Sequence, residues 1–139
     1  MYGNLILWPV FLQITLTLVV FLILGKRKGQ AIKAGDVDRK KAALDNSAWP
    51  DDVVKASNNI QNQFQTPVLF YVLCFAFLVL NSVSATILAL AWAFAISRLI
   101  HAYVHINSNY VPLRFNMFLI GTIILIAMTV FLAIGLTHL

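Results

Sequence analysis

Apolar residues fall into four long blocks along this chain. Leu5–Leu24 is interrupted mainly by Pro9 and Gln13. Thr66–Leu80 runs on without a break from an amide-rich stretch. Val83–Ile100 is almost purely apolar until Arg98, and Met117–Leu136 carries no charge. A helix that crosses a bilayer needs about 20 mostly apolar residues, with a range of roughly 17–25. The first, third and fourth blocks reach that length directly. The second reaches it only by starting upstream, among the amides. The pattern predicts an all-α integral membrane protein, a bundle of four transmembrane helices in one domain spanning residues 1–139. The expected spans are about 5–24, 58–80, 83–105 and 113–136.

The first block is expected to stay in the chain as a span. It lacks a basic n-region, its apolar run is long, and no A-x-A site follows. "GKRKG" follows instead and reads as a stop-transfer boundary.

Residues 25–49 are expected to form a polar loop. Gly25, Gly29 and Gly35 loosen it, and "DVDRKKAALD" suits a short surface helix. Pro50 then fits a first helical turn, and Asp51 and Asp52 fit the positive end of a helix dipole. A helix from there to Leu80 would have about 30 residues and a length of roughly 45 Å. A hydrocarbon core is about 30 Å thick. The second helix should therefore project beyond the membrane, with a kink at Pro67. "NSVSA" and "NSNYVP" leave room only for tight turns on either side of the third span.

Charge sets the expected orientation. Only 11% of the residues are charged, against about 25% in a soluble domain. Eight basic residues, from Lys26 to Lys55, lie between the first two spans. Arg98 and Arg114 flank the turn between the last two. Four crossings put all ten on one side, and the positive-inside rule makes that side the cytoplasm. Both termini then lie outside. The net charge of +5 is accounted for by topology and contact with anionic headgroups. No interleaving of aromatic and basic residues points to nucleic acid. The lone Cys74 excludes an intrachain disulfide and reads as a packing residue.

Six amides occur in the eight residues Asn58–Gln65. Asn58, Asn62 and Gln65 are spaced i, i+4 and i+7, so they share a helix face. Arg98, His101 and His105 share a face of the third span in the same way, and Arg114 opens the fourth at the same level. Polar groups inside spans usually face a bundle interior or a wet cavity. These sets predict a polar pocket between spans two, three and four. It contains no carboxylate: the chain has no Glu, and its five Asp lie between Asp36 and Asp52. Arginines without an internal partner suit an anionic ligand. The alternative is structural, with amides as interhelical glue and arginines reaching for headgroups. His101 and His105 lack a third ligand, so no metal is expected. A proton-coupled exporter would need a carboxylate within a span, and none is present.

With these motifs in place, the sequence resembles the MAPEG family, the membrane-associated proteins of eicosanoid and glutathione metabolism. It looks most like small bacterial members. The family's second helix carries an Arg, then Asn-x-x-Glu four residues on, shortly before a Pro. Here Asn58 stands at the Arg position, and Asn62 and Gln65 precede Pro67. The third helix carries Arg-x-x-His with a Tyr four residues later. "RLIHAYVH" supplies Arg98 and His101, with His105 in place of the Tyr. "PLR" matches a following Pro-x-Arg through Pro112 and Arg114. Phe115 and Phe118 stand where some members have Ser and Tyr.

The resemblance implies a homotrimer in a bacterial inner membrane, with sites between neighbouring subunits. It implies glutathione as cosubstrate, bound at the cytoplasmic side by Arg98, His101, His105 and Arg114, with Asn58, Asn62 and Gln65 lining the site. Arg114 matches the arginine that stabilises the glutathione thiolate. The implied activity is a glutathione-dependent transferase or peroxidase acting on lipophilic electrophiles. The alternative is a non-catalytic membrane module that holds an anionic lipid or small anion in the same pocket.

Overall fold

The computed structural model describes residues 2–138. Among them the ordered elements are all helical. A 3-10 turn, Gly3–Ile6, leads into α1, Leu7–Ala34. A short helix α2, Arg39–Ala42, follows. Next come α3, Asp51–Gln63, and α4, Thr66–Val79. The chain ends in α5, Ala85–Ile106, and α6, Val111–Leu136. Four stretches are long and apolar enough to cross a membrane: Gly3–Ala34, Asp51–Val79, Ala85–Ile106 and Val111–Leu136.

Two expectations need correction. The polar loop does not begin at residue 25. Helix α1 continues through "GKRKG" to Ala34 and stops at Gly35, whose φ of 72° is the left-handed conformation open to glycine. Lys, Arg and Gln are good helix formers, and two isolated glycines do not end a helix held elsewhere. The holding contacts are visible. Arg27 Nη1 donates to the carbonyl of Asp52 at 2.7 Å, and Nη2 donates to that of Ile106 at 3.0 Å. Lys55 Nζ donates to Asn107 O at 3.1 Å. These cations satisfy carbonyls at the end of α5 that have no helical partner. Lys28 also lies over the Trp49 ring, 4.9 Å from its centroid.

The second correction concerns the long helix. It is not one kinked rod. It breaks at Phe64 and Gln65, and Gln65 leaves helical geometry at φ −101°, ψ −107°. Pro67 lies in the first turn of α4. Its ring lacks an N–H and clashes with the carbonyl four residues back, so α3 ends before reaching it.

The rest of the frame follows from packing. Phe70 and Phe94 are fully buried and stack at 4.5 Å between centroids. With Ile6, Val10, Phe77 and Met128 they anchor the core of the half farther from the basic residues. Leu16, Val20 and Ala102 form a smaller cluster in the other half. Gly121 brings α6 against α5: a Cβ there would lie 3.4 Å from both the Phe94 ring and Ser97 Oγ. Outward positions are apolar too. Leu22 is 74% exposed and Val72 62%. Lipid accepts such a surface, so helix association here rests on close packing and buried polar contacts.

Candidate functional site

The ends of α1 and α5 and the starts of α3 and α6 meet at one end of the bundle. Between α3, α5 and α6 lies a polar cavity of about 520 Å³. Asn58, Gln61, Asn62 and Gln65 line one wall, His101 and His105 a second. Arg114, Val111, Phe115 and Phe118 close the third. The break in the second span turns Gln65 into this cavity together with the last turns of α3.

Arg114 is held from below. Its Nη1 donates to the side-chain oxygen of Asn109, which sits in the turn with φ 54°. Asn tolerates that left-handed geometry better than most residues. His101 and His105 meet edge to face, 5.5 Å between centroids, and His101 also approaches Phe118. His101 Nδ1 is buried without a partner.

Arg98 lies behind the wall and does not line the cavity. It is 1% exposed. Its Nη2 donates to the carbonyl of Asn62 at 3.5 Å, while Nε and Nη1 are buried with no partner. The helix break explains that bond. In a continuous helix Asn62 O would accept from the amide of Thr66; here it accepts from Gln65 N at 3.3 Å and from Arg98.

Of the seven residues expected at the site, six line one cavity. Arg98 supports it from behind. The amide run, however, has two faces. Asn58 and Asn62 face the cavity, whereas Asn59 and Gln63 are buried toward α1 and α5. There they join Gln13 and Thr17, which the family-like motifs do not include. The signal for Gln13 was its isolation as a strong polar residue in an apolar block. The i, i+4 spacing of Asn59 and Gln63 was the signal for a second face.

A smaller hollow of about 220 Å³ adjoins the cavity and shares Asn58, His105 and Arg114 with it. Asp51 and Lys55 line this hollow, so a carboxylate does stand at the mouth of the site. The loop touches the same wall: Asn46 Nδ2 donates to Asn58 Oδ1 at 3.2 Å. An apolar cavity of about 190 Å³ lies at the opposite end, around Phe77, Ile87 and Phe131. It holds no titratable side chain, so the chemistry belongs to the polar one.

Arg114, two imidazoles and four amides surrounding a polar cavity favour an anion. A cation beside a thiol favours its thiolate. The family model that matches is that of the MAPEG family, over residues 5–134. No curated protein and no solved structure matches the chain.

Proposed function

The chain belongs to the MAPEG family and is an integral multi-pass membrane protein, and on that premise we propose that it is a glutathione-dependent transferase or peroxidase acting on lipophilic electrophiles. One observation carries this reading. Arg114 faces a cavity whose other walls supply His101, His105 and the amides of Asn58, Asn62 and Gln65. Glutathione occupies that cavity as cosubstrate, with its thiol beside Arg114. The guanidinium stabilises the thiolate and so raises the nucleophilic fraction. His101, His105 and the amides hold the peptide through hydrogen bonds. Arg98 contributes positive potential from behind Asn62.

The lipophilic partner reaches the sulfur from the bilayer. Phe115 lines the cavity and is 59% exposed. It therefore offers an apolar path between lipid and site. The basic end faces the cytoplasm of a bacterial inner membrane, and the exposed apolar faces pair in a homotrimer.

Thermal unfolding in detergent with millimolar glutathione, together with conjugation of a generic electrophile, tests the proposal. The expected result is a raised melting temperature and a conjugation rate that falls in Arg114→Ala. An unmoved melting temperature with an unaffected Arg114→Ala variant would overturn it.

A second reading has its own observation. Asn58 and Gln65 place amides where charged side chains would grip a charged peptide more firmly. A non-catalytic module that binds an anionic lipid or small anion fits that wall. Native mass spectrometry showing a co-purified anionic lipid, with no turnover of glutathione, would favour it.

A further inference from the structure

Five buried polar side chains of α1, α3 and α5 form one continuous chain of hydrogen bonds. Gln13 Nε2 donates to Gln63 Oε1 at 2.8 Å, and Thr17 Oγ1 lies 3.1 Å from the same oxygen. Gln63 Nε2 donates to Asn59 Oδ1 at 3.1 Å. Asn59 Nδ2 stands 3.2 Å from His105 Nδ1. All four of Gln13, Gln63, Asn59 and His105 are buried, with His105 the most exposed at 4%.

Such a chain has a direction. An amide presents oxygen on one side and nitrogen on the other. Once Gln63 turns its oxygen to α1, its nitrogen must face Asn59, and Asn59 must turn its own nitrogen to His105. The Thr17 hydroxyl, with Gln13 O as a second acceptor at 3.1 Å, fits either direction, but the Gln13 amide donating to Gln63 Oε1 supports this one. So does the one group left over. Gln13 Oε1 is buried without a partner. Reversing the chain would strand the Gln13 amide nitrogen instead, and buried N–H groups without partners are the rarer defect.

His105 Nδ1 therefore receives a donor and acts as an acceptor. A neutral imidazole carries one proton, which then sits on Nε2. Nε2 has no bond among the described residues, and His105 lines both the cavity and its adjoining hollow. We propose that Gln13, Gln63 and Asn59 are positioning residues that hold His105 as an N–H donor toward an anionic group in the cavity. Simple interhelical glue would join the helices equally well in either direction. The relay instead selects which edge of the ring the ligand meets. The identity of that anion rests on the glutathione reading; the position of the proton does not.

The test is ¹⁵N NMR of histidine-labelled protein in lipid nanodiscs without ligand, with the His105 signals assigned by their loss in His105→Gln. The expected wild-type state has Nε2 protonated and Nδ1 bare. Gln63→Glu, at a pH that ionises it, offers Asn59 only acceptor oxygens, so Asn59 should then reverse and move the His105 proton to Nδ1, two links away. Asn59→Leu cuts the relay without adding charge and should give a mixture of both tautomers. The proposal stands if a folded variant shifts the proton as described. It falls if the wild type carries its proton on Nδ1, or if no folded variant differs from it. A glutathione titration that shows no binding would overturn the proposed activity and leave these signals as they are.

Discussion

Arg98 reaches the cavity only through Asn62. Its guanidinium donates to the Asn62 backbone carbonyl at 3.5 Å, while the Asn62 side chain faces the ligand space. A buried cation whose Nε and Nη1 have no partner costs stability. Replacing a buried ion pair with well-packed apolar residues is often neutral or stabilising by about 1–4 kcal/mol, and Arg98 has no counter-charge among the described residues whose attraction would be lost. Arg98→Met should therefore unfold at the same or a higher temperature without ligand. The stabilisation by glutathione should shrink in the same variant. Paired melting curves in detergent, with and without glutathione, check both statements.

Arg114 faces the cavity directly and should behave differently. Loss of one preorganised group that stabilises charge at a reacting centre commonly costs about 10²–10³-fold in rate. Arg114→Ala should lose about that factor in conjugation while keeping its fold. Steady-state rates and circular dichroism separate the two effects.

Pro67 keeps α3 and α4 apart. Pro67→Ala removes the clash with the carbonyl four residues back and restores an N–H. The helix should then run through Phe64 and Gln65, and Asn62 O should bond to Thr66 N in place of Arg98. Hydrogen exchange at residues 64–66 should slow, and glutathione binding should weaken as Gln65 turns away from the cavity.

Gly121 lets α6 pack tightly against Phe94 and Ser97 of α5. Leucine there would overlap Phe94 and Ser97, an overpacking cost of about 1–3 kcal/mol. Gly121→Ala meets those atoms at 3.4 Å and needs only a slight shift. A graded fall in melting temperature from Gly to Ala to Leu is expected.

Arg27 closes the polar end by bridging Asp52 O and Ile106 O. Hydrogen bonds from a charged donor contribute about 1.5–3 kcal/mol; the exposed half of this pair brings the expected loss toward the lower figure. Arg27→Ala should destabilise the protein by about 1–2 kcal/mol. It should also speed hydrogen exchange at residues 25–34, where α1 extends past its apolar block.

Much of this arrangement was legible in the chain. Apolar blocks marked the four crossings because the length of a membrane helix is fixed by the bilayer. Helical spacing alone placed Asn58 and Asn62 with His101, His105 and Arg114. Three features were not legible. The extension of α1 to Ala34 depends on Arg27 meeting carbonyls far along the chain. The break at Phe64 and Gln65 falls ahead of the proline that causes it. Asn59 and Gln63 look like their neighbours in composition, and only the presence of Gln13 opposite shows that they face inward. Local spacing identifies a face; it does not say which partner that face will find.

The hollow holding Asp51 and Lys55 shares Asn58, His105 and Arg114 with the main cavity, while Phe115 lines that cavity away from the hollow's own walls. On the proposed reading, a water-soluble reactant enters through this hollow and an oily one enters past Phe115. Neither has to leave before the other enters. The order of addition is then free, and kinetics with both substrates varied should follow a random sequence.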